Sequence, residues 1–205
     1  NKELLTNLTD WFDCPRRWTY RTKGSGVNDI VNLFFNLIGA TTPGLIRTSL
    51  PMDTIGSGLA SRIIFVNAAK KGKKVARPFK TEKEKQLETM LTEDLERIFL
   101  MKGAFRPTAK FIDVYEHWYN ELSETEEINN DVKFEHYCAR RQLHLLKLSM
   151  ILSASRSSSM VLDEIDFHRA HTLLTYTESK MSNTFAGLGK SSFADVTQRI
   201  YLELA

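Results

Sequence analysis

Thr41 and Thr42 close a run of apolar and amide side chains and stand directly before Pro43. Two adjacent hydroxyls can do either of two things there. They can cap a helix opened by Pro43, whose fixed φ suits the first turn. Or they can meet a ligand at the carboxyl end of a strand, where open α/β sheets bind theirs. Arg62 follows the small-residue stretch Gly56–Ser61 and precedes the apolar run Ile63–Val66. Its planar guanidinium suits a phosphate or a surface carboxylate. More cations gather in Lys70, Lys71, Lys73 and Lys74, with Arg21 and Lys23 on an earlier polar stretch. Phosphate backbones are bound by such clusters, and solvated loop tips carry them too. Arg47, Arg140 and Arg141 are further cations, the last two suiting a solvated helix face.

Several other chemistries have no support. No GxxxxGK[ST] phosphate loop occurs. Gly189-Lys190-Ser191 reads as G-K-S, but Thr184 stands where the first glycine of that motif belongs. No apolar strand ends in Asp-Glu to hold magnesium. His168 and His171 are spaced to share a helix face, yet no third ligand matches them and no HExxH occurs. Cys14 and Cys138 form no CxxC pattern and read as free thiols of a reducing compartment, which favours a cytoplasmic protein. The net charge of +3 is compatible with nucleic acid without being diagnostic of it. No apolar run approaches the roughly 20 residues that span a bilayer, so no membrane partner is expected.

The elements that must position these residues fall into two parts. Leu4, Leu5, Leu8, Trp11 and Phe12 predict a helix over 1–13, ended by Cys14-Pro15. Residues 16–30 read as a loop around Gly24-Ser25-Gly26. Residues 31–40 and 63–66 read as buried strands, with a short helix opened by Pro43 between them. After Pro78 the pattern turns helical. Thr81 and Glu84 predict a capping box for a helix over 82–102. Further helices are predicted over 108–123, 132–154 and 163–181, with a last one from about Ser191. Ser153–Ser159 reads as a connecting loop. The fold class is thus α/β followed by all-α. The expected boundaries are 1–79, 80–190 and 191–205, the last the start of a further helical segment such as a winged helix opens with.

The stretches "WTYRTKGSGV", "NLFFNLIGATTPGLIRTSLPMDTIGSGLASRIIFV", "HLLKLSMILSAS" and "LDEIDFHRAHTLLTYTESKM" resemble the ATPase core of phage and prophage replication proteins. These are primase-helicases of RecA-like or AAA+-like fold. The resemblance spans about residues 1 to 181 and rests on short apolar motifs. It implies the C-terminal part of a RecA/AAA+-like sheet plus a helical bundle. Thr41 and Thr42 would then be sensor residues at the γ-phosphate, and Arg62 an arginine finger. Arg47 would be a second phosphate contact, and Arg140 or Arg141 would reach a neighbouring subunit. ATP and Mg2+ are expected for the complete protein, and none is held by this chain alone, since the phosphate loop would lie upstream of Asn1. The implied partners are DNA, single-stranded, and further copies of the chain, in the cytoplasm of a bacterial host. The other reading is a non-catalytic nucleic-acid-binding or assembly module.

Overall fold

A computed structural model describes residues 2–22, 24, 26–49, 58–68, 70, 72, 74–77, 79–122 and 134–185. Helix α1, Lys2–Phe12, forms where its apolar face predicts it. The next stretch is a β-hairpin rather than a loop. Strand β1, Arg17–Thr22, pairs antiparallel with β2, Gly26–Val31, and Gly26 takes a positive φ of 76° beside the tip. Asn32 ends β2 with a φ of 55°, and its N–H bonds Arg16 O at 2.8 Å.

The buried strands expected at 31–40 and 63–66 do not form. Residues 33–40 are without regular secondary structure, and Phe34, Leu37 and Ile38 are exposed. Residues 63–66 are likewise irregular. The reason is pairing: a strand needs a ladder neighbour for its N–H and C=O groups, and none is offered to either run among the described residues. The fold is therefore mixed, mostly helical with two small sheets.

Helix α2, Pro43–Ser49, begins at Pro43 as expected, and a 3-10 turn covers Ala60–Arg62. Helix α3, Glu82–Phe99, has the predicted capping box: Glu84 N–H donates to Thr81 Oγ1 at 3.3 Å, and Thr81 N–H to Glu84 Oε2 at 2.7 Å. Strand β3, Arg106–Pro107, leads into α4, Ala109–Glu121, whose cap Thr108 accepts from Phe111 N–H. The single helix expected over 132–154 is two, α5, Glu135–Cys138, and α6, Arg141–Arg156. Arg140 leaves the helical region between them, at φ −112° and ψ 0°. Strand β4, Val161–Leu162, pairs parallel with β3. Helix α7, Glu164–Glu178, and the short α8, Met181–Thr184, complete the described chain. The tail helix expected from Ser191 lies outside the described residues.

Two apolar clusters hold these elements. Phe111, Leu145, Leu162, Phe167, Ala170 and Leu174 join α4, α6, β4 and α7. Ile46 of α2 packs with Phe134, Tyr137, Met181 and Phe185. Two buried acids lie beside the first cluster. Asp166, fully buried, takes Arg156 Nη2 at 2.7 Å and the Asp163 N–H at 3.0 Å. Burial opposes its ionisation, but the Arg156 hydrogen bonds and the Asp163 N–H outweigh it and hold the carboxyl below the usual range. Glu178, also buried, takes Arg141 Nε and Nη2, each at 2.9 Å. Burial first, then the charge of Glu178, pushes the Tyr137 hydroxyl up.

Candidate nucleic-acid interface

The β1–β2 hairpin has two unlike faces. Residues opposite one another in an antiparallel pair share a face, so Trp18 and Ile30 go with Tyr20 and Asn28. Trp18 stacks on Tyr20, centroids 5.6 Å apart, and meets Trp11 of α1 edge-on at 5.4 Å. Trp11 also packs on Phe35 at 5.3 Å. A hydrogen bond to Glu3 of α1 raises the Tyr20 hydroxyl. A two-stranded hairpin alone is marginal in water, and this aromatic seat on α1 is what supports it.

The other face carries Arg17, Thr19, Arg21, Val27, Asp29 and Val31. All six are exposed. Asp29 accepts from Arg17 Nη2 and from Thr19 Oγ1. The Arg17 hydrogen bond, then that of Thr19, lowers the Asp29 carboxyl, and Arg17 is raised in turn. Arg21 feels the same carboxylate only through its charge, so its fork is open to solvent. The face thus carries two cations and one anion on a two-stranded ribbon.

The other candidate residues whose side chains are described do not gather around this face or around each other. Thr42 caps α2: its Oγ1 accepts from Leu45 N–H at 3.3 Å. Thr41 is exposed, and neither threonine bonds Arg62, Arg140 or Arg141. Arg62 is held in a tight junction. Its Nη1 donates to Gly58 O at 2.8 Å and its Nη2 to Asp13 Oδ2 at 3.0 Å, with the side chain 9% exposed. A Cβ on Gly58 would lie 2.6 Å from that Nη1, so a side chain there would push the guanidinium from its place. The guanidinium also lies 5.6 Å from the Phe12 ring centroid, and Lys147 Nζ lies 3.5 Å from it. His144 completes the junction: its Nε2–H donates to Ser61 O at 2.9 Å, which fixes the tautomer. Burial lowers the ring's pKa below its ordinary value, which favours the neutral form.

Arg141 is committed to Glu178, and Arg140 is half-buried at the start of α6. Lys70 and Lys74 are exposed. Lys23, Lys71 and Lys73 lie outside the described residues, and Arg47 is described in its backbone only. Thr41, Thr42 and Arg62 therefore do not form a cradle for ATP and Mg2+ among the described residues. No group of three or more metal-ligating side chains occurs among them either. His171 stacks on Phe167 at 5.9 Å. No described helix is long and apolar enough to cross a membrane.

Arg17, Thr19 and Asp29 escaped the reading of residues 16–30 as a loop. Their signal was present: Arg17-Trp18-Thr19-Tyr20-Arg21 alternates with period two, and Gly24-Ser25-Gly26 is a hairpin turn signature. No protein-family model matches the sequence, and no curated protein or solved structure is significantly similar to it.

Proposed function

We propose that this chain is a nucleic-acid-binding module that uses the β1–β2 hairpin as its contact element. The observation carrying this reading is the hairpin's division into an aromatic face seated on α1 and an open face bearing Arg17 and Arg21. A two-stranded ribbon is one of the few elements a DNA major groove admits. Guanidinium groups at its surface suit phosphate oxygens. The replication setting comes from the sequence resemblance alone. A non-catalytic role is favoured over an ATPase contribution because Arg62 is already bound by Asp13 and Gly58 O.

The test is fluorescence anisotropy with labelled single-stranded and duplex DNA over a salt series, with and without ATP and Mg2+. The expected result is binding that weakens with salt and does not change with nucleotide. R17A/R21A is expected to reduce the slope of log K on log salt by about 1.4 to 1.8, two phosphate contacts' worth. No binding at low salt, or an unchanged slope in the double variant, overturns the proposal. Nucleotide-dependent binding or hydrolysis would return the ATPase reading.

A further inference from the structure

Helix α3 has a regular amphipathic sequence and no buried residue. Leu87, Leu91 and Ile98 lie along one line, with Met90, Leu95 and Phe99 flanking it. Leu87, Met90, Leu91, Leu95 and Phe99 are between 47% and 84% exposed. An isolated helix of this length is marginal in water, and most helices are stabilised by burying such a face. We infer that α3 is a self-association element, its stripe covered by the α3 of a second copy in antiparallel orientation.

The charges select the second copy and the orientation. Asp94 interrupts the stripe, in the slot between Leu91 and Ile98, and Lys83 lies on the same edge eleven positions earlier. A two-fold axis near Glu88-Thr89 sets Leu87 against Leu91 of the other copy. It also sets Lys83 against Asp94, twice, as an isologous contact requires. A parallel pair in register would set Asp94 against Asp94. A polar group within an apolar seam is a known means of fixing register and orientation. Lys83 has no ion pair among the described residues, whereas Lys85 is held by Glu82. Asp94 is paired with Arg97 at the surface, both more than half exposed, so it remains open to a second cation. Opposed helix dipoles add to the preference. The area fits as well: the exposed part of those five apolar side chains is roughly 600 Å² per copy, before flanking atoms are added, against about 800 Å² per partner in a standard interface. This inference is independent of nucleic-acid binding.

Sedimentation velocity on the full chain, from about 1 to about 100 µM to bracket micromolar affinity, gives the test, with helicity checked by circular dichroism. The wild-type chain is expected to dimerise. Leu91→Glu is expected to sediment as a folded monomer. Lys83→Glu and Asp94→Lys should each weaken the dimer about tenfold or more, the scale of a lost charge pair in a dry seam. Mixing these two variants, or combining them in one chain, should restore it. A monomeric wild-type chain overturns the inference, because the stripe is then covered by this chain itself or by an unlike partner. A dimer unaffected by Leu91→Glu, or charge variants that fail to rescue one another, also overturns it. If Leu91→Glu misfolds, the paired charge variants decide alone.

Discussion

Helices α3 and α7 are of similar length and start with the same device. Thr81 with Glu84 and Asp163 with Asp166 each form a capping box. Beyond that first turn they part. Helix α7 buries Phe167, Ala170 and Leu174 together with the charged Asp166 and Glu178, while α3 buries nothing. A cap satisfies the first N–H groups and sets where a helix begins. It does not decide whether the helix is held. Helix α7 is held by α4 and α6 through one apolar cluster and two ion pairs whose carboxylates are buried. In α3 the local signals are as good, and the tertiary ones are slight: it touches α6 but buries no residue against it.

The contrast can be broken first at Glu178. Glu178→Ala strands the Arg141 guanidinium in a nearly dry site, and removing one partner of a buried pair costs about 3 to 5 kcal/mol. Urea unfolding should show the loss as a lower midpoint at similar slope. Next is a matched pair of leucines. Leu174→Ala, at a side chain with no exposure, should cost about 3 kcal/mol, the lower part of the range for such deletions. Leu91→Ala in a dilute, monomeric sample should stay within about 0.5 kcal/mol, as surface changes do. Equal costs would mean that α3 is packed after all. The smallest effect is expected from Thr81→Ala. Losing that cap should cost about 1 kcal/mol, felt as fraying of α3. Hydrogen exchange should rise in the first turn of α3 and stay unchanged in α7.

The starts and periods of helices were legible because they are local. Thr81 and Glu84 announce their capping box, and the spacing of Phe111, Tyr115 and Trp118 announces α4. What depends on distant partners was not. The run Phe34–Ala40 has the composition of a buried strand, but composition does not supply the neighbour that a ladder needs. Ser153 was read as part of a loop. It lies within α6, its hydroxyl donating to Val161 O at 2.7 Å. Asp166 and Glu178 look like surface charges in the sequence, because their arginines lie 10 and 37 residues away. The same limit applies to Arg62. Its place after a small-residue stretch suggested a reaching arginine, yet Gly58 O of that stretch and Asp13, 49 residues away, hold it.

The short parallel bridge between β3 and β4 bears on the order in which the chain assembles. It is clasped by the hydrogen bond from Thr108 Oγ1 to Asp163, across 55 residues, while α6 and α7 meet through a short turn. Contacts between sequence neighbours form before those that close long loops. The α6–α7 pair is therefore expected to act as the nucleus, with α4 swung in last and fastened at Thr108. Thr108→Ala should then speed unfolding and leave the folding rate nearly unchanged in stopped-flow measurements. The clasp would set how long the native fold persists, and the helix pair how fast it is reached.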